Sequence, residues 1–204
     1  MSEPIRLVLA DDQALVRGAL AALLNLEPDL EVVAEVGRGD EVLATVADLD
    51  VDVVLLDIEM PGMNGIEVAA ALQTTAPKLR TLIVTTFGRP GYLRRALDAG
   101  ASGFVVKDTP AAELADAVRR VHAGMRVVDP ELATESLIEG SNPLSDRERE
   151  VLAQVLTGAP VAEVARTLHL SAGTVRNYLS SATAKTGARS SSEAAVVARE
   201  RGWL

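Results

Sequence analysis

A rhythm in the first 124 residues constrains this chain more than any other feature. Five short apolar runs, "IRLVLA" (5–10), "EVVAEV" (31–36), "DVVLL" (52–56), "RTLIVT" (80–85) and "SGFVV" (102–106), alternate with longer amphipathic stretches. Their Val/Ile/Leu content and shortness favour strands buried on both faces over short helices. Between them, "ALVRGALAALLNL" (14–26) sets Leu15, Ala19, Ala22, Leu23 and Leu26 on one helical face. "GYLRRALDAG" ends in Gly100, and "AAELADAVRRVHAG" starts after Pro110 and ends in Gly124, which are natural helix start and stop signals. Five such strand–helix units predict an α/β domain, a doubly wound parallel sheet with helices on both faces.

The rhythm stops at residue 124. "MRVVDPELATESLIEGSNP" (125–143) is acidic and contains two prolines. It predicts a linker over 125–141 with a short helix around 130–138. Four helical patterns follow, at 145–156, 161–168, 172–184 and 191–201, and predict a small all-α unit over 142–204. Charge divides the same way: the net -9 resolves into -8 over 1–124, -3 over 125–141 and +2 over 142–204. The acidity thus belongs to the front of the chain, and a mildly basic tail is compatible with nucleic acid. Five aromatic residues are too few for a platform that stacks single-stranded bases. The absence of cysteine excludes disulfides and cysteine-ligated metals and suits a reducing cytosol. "MSEPIRLVLADD" has no basic region followed by an apolar one, and the apolar stretches are too short to span a bilayer. A cytoplasmic protein without membrane association is therefore expected.

In an open parallel sheet, ligands bind beyond the carboxyl ends of the strands. Here the first run ends in Asp11 and Asp12, the third in Asp57, the fourth in Thr85 and Thr86, and the fifth in Lys107. Taken singly, each has an ordinary reading: a helix cap, the start of the "MPGMNG" turn, a good strand residue, a solvated charge. Converging on one rim, they are a chemical set. Clustered carboxylates repel one another unless a hard cation such as Mg2+ sits among them. A carboxylate beside that ion can attack a phosphoryl group and form an acyl phosphate. Lys107 and the metal would offset charge on the phosphoryl oxygens, and the Thr85 hydroxyl would sense the new group.

In the tail, Ser145 and Glu148 form a capping-box pattern. "VAEVARTLHLSAGTVRNYL" has helix-turn-helix spacing: Ala165 permits close crossing, Val164 and Leu168 face inward, and Ser171 caps the next helix. Val175, Leu179 and Ala182 anchor that helix, which leaves Arg176, Asn177, Ser180 and Thr183 facing out, with Thr174 near the cap. Arg and Asn suit bidentate contacts with guanine and adenine in the major groove, and Lys185 and Arg189 are placed to meet phosphates. Spacing alone also fits a plain four-helix domain.

"LADDQ", "LLDIEMPGMNG", "IVTTF" and "GASGFVVKD" resemble the receiver domain of bacterial two-component response regulators across residues 4–124. The tail resembles the LuxR-type DNA-binding domain, and the whole chain resembles the NarL/FixJ class. The resemblance implies a receiver over 1–124 with five parallel strands in the order 2-1-3-4-5, then a small all-α helix-turn-helix domain. It makes Asp57 the phosphoacceptor, and Asp11, Asp12, Asp57 and the Glu59 backbone carbonyl the Mg2+ ligands. Thr85 and Phe104 become switch residues and Lys107 the phosphate partner. Thr174, Arg176, Asn177, Ser180, Lys185 and Arg189 become DNA-binding residues. The implied partners are a sensor histidine kinase, double-stranded DNA and, on phosphorylation, a second copy of the chain. The chain departs from the family pattern at Asp108, where many receivers have proline, and at Ala159-Pro160-Val161, "KTGA" (185–188) and Ser191. A non-enzymatic regulator is the leading expectation. Its rivals are a phosphatase using Asp57 and Glu59, and a dimerisation scaffold that ignores phosphorylation.

Overall fold

Burial on both faces turns the apolar runs into strands. The computed structural model describes residues 3–86, 88–139 and 142–204; Phe87, the last residue of "IVTTF", and residues 140–141 of the predicted linker lie outside them. The runs form β1 (Ile5–Ala10), β2 (Leu30–Val36), β3 (Val53–Leu56), β4 (Arg80–Thr85) and β5 (Gly103–Val106). All pair in parallel in the order β2-β1-β3-β4-β5. A sixth strand, β6 (Val127–Val128), extends the sheet beyond β5. Five strands were expected. The additional one comes from the stretch read as linker, where two residues are too short to leave a periodic signal. Its formation covers a sheet edge that would otherwise present unpaired backbone groups.

Helices α1 (Ala14–Leu24), α2 (Gly39–Asp48), α3 (Gly65–Thr75), α4 (Pro90–Asp98) and α5 (Ala111–His122) alternate with the strands. On one face of the sheet, Ala21 and Leu24 of α1 and Leu114, Val118 and Val121 of α5 pack on Leu7, Leu9, Leu55, Leu82 and Val84. On the other, Val42 of α2 and Val68 and Leu72 of α3 are buried. The apolar stripe read from α1 is the outward one: Leu15, Ala19, Ala22, Leu23 and Leu26 are exposed, Leu15 at 86% and Leu26 at 79%. The helix carries two apolar sides, and the sheet can bury one of them.

The turn after β3 is built for close approach. Asn64 and Glu67 form a capping box at the start of α3, with the Asn64 Oδ1 accepting from the Ile66 and Glu67 amides at 3.0 Å. A Cβ on Gly65 would stand 2.1 Å from the Asp57 carbonyl oxygen, so only glycine lets α3 begin this close to the strand end.

α6 (Pro130–Glu139) leads to a helical unit of α7 (Asp146–Leu156), α8 (Val161–Thr167), α9 (Ala172–Thr186) and α10 (Ser191–Glu200). That unit has its own core, including Val151, Leu152, Val164, Val175, Ala182, Ala194, Ala198 and Trp203. The chain accordingly divides into two compact units. Among the described residues no helix is long and apolar enough to cross a membrane. Gly65→Ala is expected to destabilise the sheet-based unit by about 1–3 kcal/mol, the usual cost of overpacking. Denaturant unfolding followed through that unit's signal checks it.

A candidate phosphoacceptor site and a candidate DNA interface

Strand order reverses between β1 and β3, and the rim at their carboxyl ends is where the sheet opens. Asp57, at the end of β3, is 4% exposed, and its amide donates to the Ala10 carbonyl at 2.8 Å. Asp11, at the end of β1, is equally buried. The Lys107 ammonium, beyond β5, lies between them, 2.7 Å from Asp11 Oδ2 and 2.8 Å from Asp57 Oδ2. The free oxygens are held by the chain itself: Gln13 N–H donates to Asp11 Oδ1 at 2.9 Å and Ile58 N–H to Asp57 Oδ1 at 2.7 Å. Lys107 is fixed in turn by its own amide, which donates to the Thr85 carbonyl at 2.8 Å. Asp12 completes an acidic group with Asp11 and Asp57 in which one carboxylate oxygen from each lies within 4.8 Å of the others, and it faces solvent.

The electrostatics follow from that arrangement. Burial pushes the Asp57 carboxyl above its ordinary range and Asp11 adds to the push, while Lys107 and the Ile58 amide pull the other way. Burial works against the Lys107 charge too, but hydrogen bonds to Asp11 and Asp57 outweigh it and hold the ammonium above its usual value. This donor set of carboxylate oxygens is the kind a hard divalent cation takes. Thr85 and Phe104 are both fully buried behind the rim, whereas Glu59 is exposed beside it. One participant escaped sequence reasoning. Arg17, on α1, donates from Nη1 to the Asp11 carbonyl oxygen and sits 3.6 Å from Glu35. Nothing in the spacing of Arg17 and Asp11 signals that contact, because it depends on where α1 lies against the sheet.

In the helical unit, α8 and α9 form the helix-turn-helix. Val164 and Ala165 are buried, Leu168 is half-buried, and the exposed His169 makes the turn with φ +53. Ser171 caps α9, accepting from the Thr174 amide at 3.0 Å; its hydroxyl also meets that of Thr174 at 2.8 Å. Val175, Leu179 and Ala182 are buried, so Arg176, Asn177 and Ser180 are displayed together on the exposed side. Arg189 is exposed beyond the helix. Thr183 is half-buried rather than exposed like Arg176, Asn177 and Ser180, and its hydroxyl donates to the Leu179 carbonyl at 2.7 Å. Lys185 is already engaged, 2.7 Å from Glu148 Oε2. Glu148 is 3% exposed and also accepts from the Ser145 amide and the Ser181 hydroxyl, both at 2.6 Å. Burial alone would raise its pKa; Lys185, Ser181 and Ser145 together outweigh that and bring it to about 2.

An acidic rim on a doubly wound sheet, joined to a helix-turn-helix unit, defines a class of protein, and comparison with known families agrees. Residues 7–119 match the response regulator receiver domain, and residues 142–198 match the bacterial regulatory proteins of the luxR family. The chain belongs to the two-component response regulators with a LuxR-type DNA-binding domain. It is 44% identical over 200 residues to the transcriptional regulatory protein DesR of Bacillus subtilis, covering 98% of this chain and 99% of that one. It is 38% identical to the DNA-binding transcriptional activator DevR/DosR of Mycobacterium tuberculosis, over 96% of this chain and 94% of that one. The crystal structure of ChrA, a response regulator of a heme-sensing two-component system, is similar over the whole of both chains, with TM-score 0.57 and 32% identity. The RcsB response regulator in its DNA complex is similar with TM-score 0.67 and 25% identity, over 97% of this chain and 99% of that one.

The clamp on Glu148 yields a prediction with a definite sign. Its folded pKa lies below its unfolded value of 4.5, so its contribution to stability is complete above about pH 4.5 and is lost as the pH falls through about 2. Glu148→Ala is expected to cost about 1–3 kcal/mol at neutral pH. Glu148→Gln should flatten the acid limb of the helical unit's stability curve, as followed by circular dichroism.

Proposed function

We propose that this chain is a phosphorylation-controlled transcription regulator whose Asp57 accepts a phosphoryl group from the phosphohistidine of a sensor histidine kinase. The observation that carries the reading is the Lys107 clamp, which holds Asp57 and Asp11 side by side at the carboxyl ends of β3 and β1. In the transfer, an Asp57 carboxylate oxygen attacks phosphorus, and an O–P bond forms as the N–P bond breaks. The histidine nitrogen keeps the electron pair of the broken bond. Asp11, Asp12, Asp57 and the Glu59 carbonyl would hold Mg2+, which when bound offsets charge on the phosphoryl oxygens. The Ile58 amide steadies one Asp57 oxygen, and Lys107, released from Asp57, can turn its ammonium to the phosphoryl oxygens.

Thr85, whose carbonyl accepts from the Lys107 amide, would follow the phosphoryl group through its hydroxyl, and Phe104, one strand over, would follow Thr85. These shifts would alter the surface around β4, β5, α1, α4 and α5 and favour a homodimer. The exposed leucines of α1 give that surface apolar area. Two copies of the helix-turn-helix would then engage two half-sites of duplex DNA in the cytoplasm. Arg176, Asn177 and Ser180 would read base edges, Thr174 would support the start of the helix, and Arg189 would meet phosphate. Lys185, neutralised by Glu148, contributes less to phosphate contact than its exposure suggests.

Sedimentation and DNA binding test the reading together. Mg2+ and a small phosphodonor are expected to drive the native chain to a dimer and tighten its binding to a duplex selected by the phosphorylated chain from a random pool. Asp57→Ala should show neither response; a normal response would favour the phosphorylation-independent scaffold. Arg176→Ala or Asn177→Ala is expected to cost about 1–3 kcal/mol of specific binding and relax discrimination at the base each one reads.

A further inference from the structure

The turn that carries Asp11 and Asp12 joins β1 to α1, and the start of α1 does little to hold it. Gln13, the N-cap, makes no side-chain capping bond among the described residues, and the first turn of the helix carries no acid. A helix start of this kind needs another tether. Asp11 supplies it. Its amide donates to the Val36 carbonyl at 3.1 Å, its Oδ1 accepts from the Gln13 amide at 2.9 Å, and its carbonyl accepts from Arg17 Nη1. The last bond reaches back from one turn inside α1.

The Asp11 carbonyl belongs to the planar peptide that joins Asp11 to Asp12. A guanidinium that fixes this oxygen fixes the plane, and with it the direction in which Asp12 leaves the strand end. Asp12 is exposed, so packing does little else to direct it. Arg17 is itself held in place. Its side chain is 19% exposed, and its Nε lies 3.6 Å from Glu35 Oε2 on β2. Gly37 leaves it room, since a Cβ there would stand 3.3 Å from Arg17 Nη1. α1, β1 and β2 thus meet at one guanidinium. Arg17, Asp11 and Asp57 also line the same small cavity, which puts the guanidinium near the phosphoacceptor.

We propose that Arg17 is a positioning residue for cation binding: it sets the Asp11–Asp12 peptide so that both carboxylates are already arranged for a divalent cation. The inference rests on the reading of the acidic rim as a Mg2+ site. Two effects of Arg17 oppose each other there. Its positive charge repels an incoming cation, whereas its bond to the Asp11 carbonyl prearranges the ligands and lowers the cost of ordering them. Outer groups that orient metal ligands are commonly worth about 10–100-fold in affinity. The charge is partly offset by Glu35 beside it. Positioning therefore outweighs repulsion, and the sign of the effect separates the two.

Titration of the full chain with Mn2+, a hard cation that takes the same oxygen ligands, reads that sign without any phosphodonor. The paramagnetic resonance signal of the free ion reports binding. The native chain is expected to take up Mn2+, and Asp12→Asn to hold it much more weakly. Arg17→Met should bind Mn2+ about tenfold more weakly than the native chain while keeping its far-ultraviolet circular dichroism. Should that variant fail to fold, Arg17→Gln, with a polar end at a partly exposed site, serves with the same expectation. Loss of stability alone would leave the affinity of the folded chain where it was, and loss of a charge alone would raise it. Affinity equal to or tighter than native in the folded variant therefore overturns the positioning role. A native chain that takes up no Mn2+, or holds it as tightly after Asp12→Asn, overturns the reading of the rim and removes the basis of this inference.

Discussion

Two carboxylates can share a buried rim only with a cation between them, and in this molecule that cation is Lys107. Much of the receiver's design can be traced to this constraint. The parallel register sets β5 beside β4, and the Lys107 amide bonds the Thr85 carbonyl, which delivers the ammonium to the right depth. β1 and β3 are neighbours, so Asp11 and Asp57 end at the same level. The glycine at 65 lets α3 start against the Asp57 carbonyl. The clamp sets two carboxylates against one ammonium, so the rim keeps a net negative charge; on the proposed reading, an incoming phosphoryl group would compete with Asp11 and Asp57 for that ammonium.

Glu148 solves the same problem to a different end. It too is a buried carboxylate facing a lysine, but three donors satisfy it and its pKa falls to about 2. Asp57 is left above the ordinary carboxylate range with a shared ammonium. The first arrangement braces α7 against α9; the second leaves a carboxylate that shares its lysine with Asp11.

The sheet was legible because strands buried on both faces must read as continuous apolar runs, and the rim was legible because parallel topology collects strand ends. What escaped depends on contacts distant in sequence. The outward leucines of α1 have the same spacing as core leucines, and only the seating of the helix separates them. Lys185 looked available for phosphate because its partner is 37 residues away. Thr183 looked outward although packing leaves it half-buried. β6 is too short to announce itself, and Arg17 reaches Asp11 only because of the way α1 crosses the strand end. The resemblance to receivers supplied the expected chemistry, while these local corrections came from packing.

Locating the phosphoryl group tests the central claim most directly. The chain, treated with Mg2+ and a small phosphodonor, would be reduced with borohydride, which converts an aspartyl phosphate to homoserine, and then mapped by peptide mass spectrometry. The account predicts homoserine at position 57 and at no other aspartate. Unmodified Asp57 in a folded, Mg2+-supplied chain, or homoserine at position 11 or 12 instead, would contradict it.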